Sequence, residues 1–285
     1  MGKSGIFPNS SIGRLLLPLY VSGPNRRFKL VGSSFVYTVG GRFFIATAAH
    51  VANILRSEQA VLRGKNGYFS VEIPFLSTSG TGTDRFDVAV AEMHPSVFAT
   101  LGDVVEFTDL PAVTQDFVIR EGMAVAFLGF PRSYNKSKVW RHQWPTVMLQ
   151  QVVQVSFSDG IYRNRFHPEL HICARFDPSD RFLIGSTPVQ SPHPNGMSGG
   201  LVYKLNEEDH MRGRISPNGI IGIGIEYLEK EKVLAGIHIA TFFELLRHRC
   251  PELSPSIPVL NLQSGEYALG ETKHMFIGIH IAPSN

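Results

Sequence analysis

An all-β architecture, with about a dozen strands and one terminal helix, is what this sequence predicts. Three observations carry that expectation. Apolar runs are short and rich in β-branched and aromatic residues, with 20 Phe. Gly (27) and Pro (18) together make up about 16% of the 285 residues, a share that suits many tight turns. Only two stretches are credible as helices.

The elements follow in order. Residues 1–27 are a lead-in broken by Pro8, Pro18 and Gly23-Pro24. Residues 28–39 are one strand or two, Gly40-Gly41 turns the chain, and 42–46 returns. A short helix follows His50. Residues 68–75 alternate, 77–83 form a polar loop, and 86–93 read as a strand. Further strands are expected at 123–130, 148–157, 170–176, 201–204, 219–226 and 233–240. The second helix spans 241–249, with Thr241 as its N-cap. Pro251, Pro255 and Pro258 impose an extended linker, and 266–282 adds one or two strands.

Composition narrows the function. At 43% hydrophobic and 18% charged, the chain can bury a core and is not a disordered one. Basic residues number 27 against 24 acidic, a net +3. That balance implies no obligatory nucleic-acid or membrane partner. No apolar run reaches the ~18 residues of a membrane span. The apolar stretch 15–21 is too short for a secretory signal and contains Pro18. With only Cys173 and Cys250, a reducing, cytoplasmic setting is expected.

Three segments carry chemistry. Residues 43–50 (FFIATAAH) form a strand running into His50. Asp87 heads the strand in FDVAV. Residues 195–200 (NGMSGG) lead into the strand LVY. A serine hydroxyl needs a neutral imidazole to take its proton, and the imidazole needs a carboxylate to fix its tautomer and stabilise its cation. The glycines let the chain bend so that backbone N–H groups form an oxyanion hole, with Gly196 and Ser198 as donors.

These residues resemble the trypsin-like (chymotrypsin-fold) serine peptidase family. The motifs are Thr47-Ala48-Ala49-His50, Phe86-Asp87-Val88-Ala89 and Gly196-Met197-Ser198-Gly199-Gly200. They occur in the order His, Asp, Ser, at spacings of 37 and 111 residues. Residues 122–131 (GMAVAFLGFP) are similar to the strand opening the second barrel in HtrA-type peptidases, closer than to secreted trypsins. The resemblance spans about residues 28–249. It implies two antiparallel six-stranded β-barrels: 28–120 with His50 and Asp87, and 121–250 with Ser198 and the C-terminal helix. Residues 251–285 would be an accessory tail, too short for a PDZ domain.

The resemblance also implies a serine endopeptidase that hydrolyses peptide bonds through an acyl-enzyme. Ser198 would be the nucleophile, His50 the general base and Asp87 the orienting carboxylate. No metal or organic cofactor is implied. The partner is a protein or peptide substrate, with room for an activating or regulatory protein. The alternative is a catalytically silent module of the same fold that binds an extended peptide.

The chain departs from the family at informative points. Met197 stands where secreted enzymes carry the Asp that pairs with a new N-terminus, so activity without N-terminal processing is expected. Ile225 replaces the Ser behind the catalytic Asp, so support for Asp87 must come from elsewhere, such as backbone N–H groups near His50. The substrate pocket would be lined by Pro192, His193, Asn195, Gly224, Ile225, Glu226, Tyr227 and His238. Pro192 occupies the place of the Asp that selects Arg or Lys in trypsin. His193 and His238 either line the pocket and favour a polar or acidic side chain, or are merely packed or solvated.

Two weaker signals remain. His167, His171 and Cys173 share one face of a strand without an evident fourth ligand, which reads as a plain strand rather than a zinc site. Residues 132–144 interleave basic residues with Tyr134, Trp140 and Trp144, a composition open to a solvated loop, a substrate contact or single-stranded nucleic acid.

Overall fold

The computed structural model describes residues 5–6, 14–23, 28–78, 86–101, 108–109, 119–133, 135, 148–152, 155–156, 166–167, 170–179, 181–184, 187–205, 219–261 and 266–269. Trp140 and Trp144, most of the basic segment around them and most of the C-terminal tail lie outside these residues.

Among the described residues two mostly antiparallel sheets dominate. Strand β1 (Gly5–Ile6) joins the second of them. The first sheet is built from β2 (Leu16–Ser22), β3 (Phe28–Val39), β4 (Arg42–Ala48), β5 (Ala60–Gly64), β6 (Gly67–Val71), β7 (Leu76–Ser77), β8 (Val88–Glu92) and β9 (Thr108–Asp109). Its order is β6-β5-β2-β3-β4-β8-β7, with β9 lying parallel to β3. The second sheet uses β10 (Val125–Gly129), β11 (Met148–Val152) and β12 (His171–Arg175). A separate hairpin, β13 (Arg181–Ile184) with β14 (Thr187–Gln190), precedes β15 (Leu201–Lys204), β16 (Ile220–Leu228) and β17 (Val233–His238). The second sheet's order is β1-β11-β10-β15-β16-β17-β12. No ladder closes either sheet on itself among the described residues.

The β3–β4 hairpin turns on Gly40 (φ 56°) and Gly41 (φ 75°). A two-residue turn with positive φ at both centres matches strand twist, and glycine adopts it without a Cβ clash. Helix α1 (Ala49–Ser57) buries Ala49, Val51, Ala52 and Leu55 on one face. Helix α2 (Pro95–Leu101) was not expected from the sequence. Helix α3 spans Ile239–Arg249, two residues earlier than expected, because His238 is its N-cap and accepts from the Ala240 N–H. Thr241 sits inside the first turn, and its hydroxyl has no partner among the described residues. The proline-rich stretch after it is a 3₁₀ helix (Pro251–Ser256) rather than an extended linker, followed by the hairpin of β18 (Pro258–Asn261) and β19 (Glu266–Leu269).

The core is shared between the sheets. One apolar cluster joins Tyr37 and Phe44 of the first sheet to Leu201 of the second and Phe242 of α3. The Tyr37 and Phe242 rings meet edge to face with centroids 4.7 Å apart. Burying a Phe side chain contributes roughly 1.5–3 kcal/mol, so this contact alone ties the last helix firmly to the first sheet. Each sheet also buries a cluster of its own. Arg42 adds a polar tie: its guanidinium bonds Glu92 (Nε–Oε1 2.7 Å) and Glu252 of the 3₁₀ helix. Cys173 and Cys250 are both buried, and neither is in a disulfide. No helix among the described residues is long and apolar enough to cross a membrane.

Candidate functional site

Helix α1 begins in an unusual way. The residue before it, Ala48, has no side chain able to cap the first turn. The orphan N–H groups of a first turn still need acceptors. Asp87, from the head of β8, supplies them: its carbonyl accepts from Ala49 N (3.0 Å) and its Oδ1 from His50 N (2.8 Å). Asp87 reaches this position at φ 47°, a left-handed conformation that Asp tolerates better than most residues. The carboxylate thus sits at the positive end of the helix dipole.

The other oxygen, Asp87 Oδ2, lies 2.7 Å from His50 Nδ1. An ionised carboxylate there accepts the Nδ1 proton, which leaves Nε2 as the basic nitrogen. The backbone support expected near His50 is therefore present. The Asp87 side chain is 15% exposed and that of His50 40%, so the acid is sheltered and the imidazole can be reached. Burial works to lower the His50 pKa. The Asp87 hydrogen bond and the charges of Asp87 and Glu226 outweigh it, and the imidazole sits above its ordinary value.

The serine segment is shaped by main-chain bonds. Met197 N donates to Pro194 O (2.9 Å), Gly200 N to Met197 O (2.9 Å) and Gly199 N to Gly224 O (2.7 Å). Gly196 and Gly199 hold φ 94° and 87°. A Cβ on Gly199 would lie 2.1 Å from Ser33 O and 2.2 Å from Thr47 Oγ1, so no side chain fits there. Arg132 N donates to Asn195 O (2.6 Å). In a trans peptide the C=O and the next N–H point opposite ways. The Gly196 and Ser198 N–H groups are therefore turned away from Arg132 and Gly200, and among the described residues neither has an acceptor.

First-sheet residues reach this segment. Ser33 N donates to Ser198 O (2.8 Å), and Thr47 Oγ1 donates to Ser33 O (2.7 Å). Thr47 lies three residues before His50, so this chain of bonds runs from the Ser198 carbonyl through β3 to the strand that leads into His50. No hydrogen bond joins Ser198 to His50 among the described residues.

Beside Ser198 lies a small pocket with about 250 Å³ of empty space, mouth included. Gly224, Ile225, Glu226 and Tyr227 line it, with Phe127, Met197 and Leu234 supplying apolar surface. Pro192, His193 and Asn195 do not line the pocket, although the His193 ring packs edge to face on Tyr227 at 5.3 Å. His238 is placed elsewhere: it is fully buried and its Nδ1 is committed to capping α3. His171 is also buried, its Nδ1 accepting from His167 N at 2.9 Å. No group of three His, Cys, Asp or Glu among the described residues is arranged to hold a metal ion.

Sequence reasoning missed the contacts that Ser33 and Arg132 make with the Ser198 segment. The available signal was Ser33-Ser34 in the middle of an apolar strand, since buried hydroxyls must find partners.

No family model matches the chain, and no curated protein does. Three solved structures to which it is similar are a Sesbania mosaic virus polyprotein domain, a bacterial domain and an endopeptidase. The serine protease domain of the Sesbania mosaic virus polyprotein is 15% identical over 85% of this chain and 96% of that one, with a TM-score of 0.45. The MamO protease domain from Magnetospirillum magneticum is 12% identical over 82% and 96%, at 0.43. A Glu endopeptidase is 14% identical over 87% and 96%, at 0.47. At TM-scores below 0.5 these likenesses decide neither family nor chemistry, which rest on the side chains.

Proposed function

We propose that this protein is a trypsin-like serine endopeptidase acting on a limited set of protein substrates. The observation that carries this reading is the His50–Asp87 pair, bonded at 2.7 Å, with the same carboxylate held by the His50 N–H at 2.8 Å. An imidazole oriented this way and left reachable has the arrangement a general base needs. In the proposed cycle His50 Nε2 takes the Ser198 proton as Oγ attacks the scissile carbonyl. The Gly196 and Ser198 N–H groups receive the oxyanion, and His50 returns the proton to the leaving amine. Water then hydrolyses the acyl-enzyme by the same route in reverse roles.

On this reading the two sheets correspond to the two barrels of that fold, expected as six-stranded over 28–120 and 121–250, but the first also takes in β2 and the second β1, from the stretch expected to be a lead-in; 251–285 is an accessory tail. The substrate backbone pairs with β16 beside Glu226 and Tyr227, and the apolar pocket takes a side chain. Two buried cysteines outside any disulfide accord with a reducing, cytoplasmic setting. The rival reading, a silent peptide-binding module, draws on the missing Ser198–His50 hydrogen bond. Such bonds are often long before substrate binds, so the gap weighs little. A fluorophosphonate probe separates the two: we expect covalent labelling of the wild-type chain that disappears in Ser198→Ala, and an unlabelled wild type would sink the peptidase reading.

A further inference from the structure

We propose that the Ser33 hydroxyl is a positioning residue, a latch through which the first sheet holds the oxyanion peptides of the second; the inference rests on the peptidase reading above. Ser33 sits mid-strand in β3 and is fully buried. Its Oγ donates to Gly196 O (2.8 Å) and accepts from Phe130 N (2.9 Å). With the Ser33 N–H on Ser198 O, three of its bonds cross to the other half of the molecule.

Both carbonyls flanking Gly196 are thereby pinned. Arg132 N holds Asn195 O, and Ser33 Oγ holds Gly196 O. The Phe130 N–H bond fixes the exit of β10, from which Arg132 reaches back. A peptide next to a glycine at φ 94° turns easily when nothing holds its carbonyl. The peptide that Ser33 Oγ holds, Gly196–Met197, lies between the two that carry the Gly196 and Ser198 N–H groups, so its release would let both donors tilt away from the site where the oxyanion forms. Ser33 touches no reacting atom; it acts by denying the loop that freedom.

Ser34 is the internal control. It is equally buried, but its Oγ donates to Leu17 O (2.9 Å) within its own sheet.

The test compares Ser33→Ala, Ser34→Ala and Ser33→Thr in the full chain. Two quantities are read: the inactivation rate (kinact) and affinity (KI) for a fluorophosphonate probe, and deuterium uptake at the amides of Met197, Gly199 and Gly200. Ser33→Ala is expected to lower kinact about ten- to a hundredfold with KI unchanged, and to speed exchange at those three amides. Ser34→Ala should leave kinact, KI and the loop exchange as they are, and Ser33→Thr, which keeps the hydroxyl, should restore kinact. Where Ser33→Ala does not fold, Ser33→Cys fills the same space with a weak hydrogen-bonding group. The latch is overturned if the Ser33 and Ser34 variants behave alike in both measurements. A wild-type chain that does not react with the probe removes the peptidase reading, and the exchange data then decide the latch alone.

Discussion

The two parts of the candidate site are anchored in opposite ways. His50, in the first turn of α1, and Asp87, just before β8, bind each other through side chains, with the α1 N-terminus completing the unit. Ser198 has no such side-chain partner. Its segment is shaped mostly by main-chain bonds, and two bonds reach it from the other half of the molecule, both from Ser33. The His50–Asp87 pair is therefore a local product of the first half, whereas the Ser198 segment depends on how the two sheets meet. Changes to the first should act on proton transfer, and changes to the second on placement.

The largest expected effect breaks the local unit. Asp87→Asn keeps the shape but lets the side-chain amide offer its proton to Nδ1, which favours the wrong imidazole tautomer. Probe reactivity should fall by about 10⁴-fold, while stability in chemical denaturation stays nearly unchanged, because an Asn amide oxygen caps the helix about as well as the carboxylate. A drop in reactivity explained entirely by unfolding would mean that Asp87 serves only as a cap.

Gly199→Ala attacks the other part. The new methyl has no room beside Ser33 O and Thr47 Oγ1, and its backbone sits at φ 87°. A destabilisation of about 3 kcal/mol or more is expected. A fully stable and reactive Gly199→Ala chain would show that the sheets are not in contact at this point.

The smallest effect concerns pH. The base works when neutral, so reactivity should rise with pH through an apparent pKa above 6.5, the side His50 is pushed toward by Asp87 and Glu226 against burial. Glu226→Gln removes one of the negative charges and should move that inflection to lower pH. A shift the other way would remove Glu226 from the electrostatics of the site.

Much of this was legible in the residues. The Gly40-Gly41 hairpin, the strands into His50 and after Ser198, and the His50–Asp87 pairing follow from local pattern and from the needs of the chemistry. What escaped was non-local or weakly coded. Helix α2 (PSVFATL) contains Val and Thr, poor helix formers, and only Pro95 at its start announced it. The prolines after Arg249 read as extended, yet Pro251 opens a 3₁₀ turn. His238 suited a pocket by its spacing. Its actual work as a cap follows from where α3 begins, two residues before the Thr that looked like the better choice. Ser33 lies 163 residues from the carbonyl it holds, a separation no local pattern encodes.

The capping of α1 by a residue 37 positions later orders events during synthesis. Until the strand bearing Asp87 has emerged and docked, the helix start lacks its acceptor and the imidazole has nothing to aim it. On the proposed reading, a half-made or unravelled copy of this polypeptide is inert, so proteolytic power arrives only with the finished molecule.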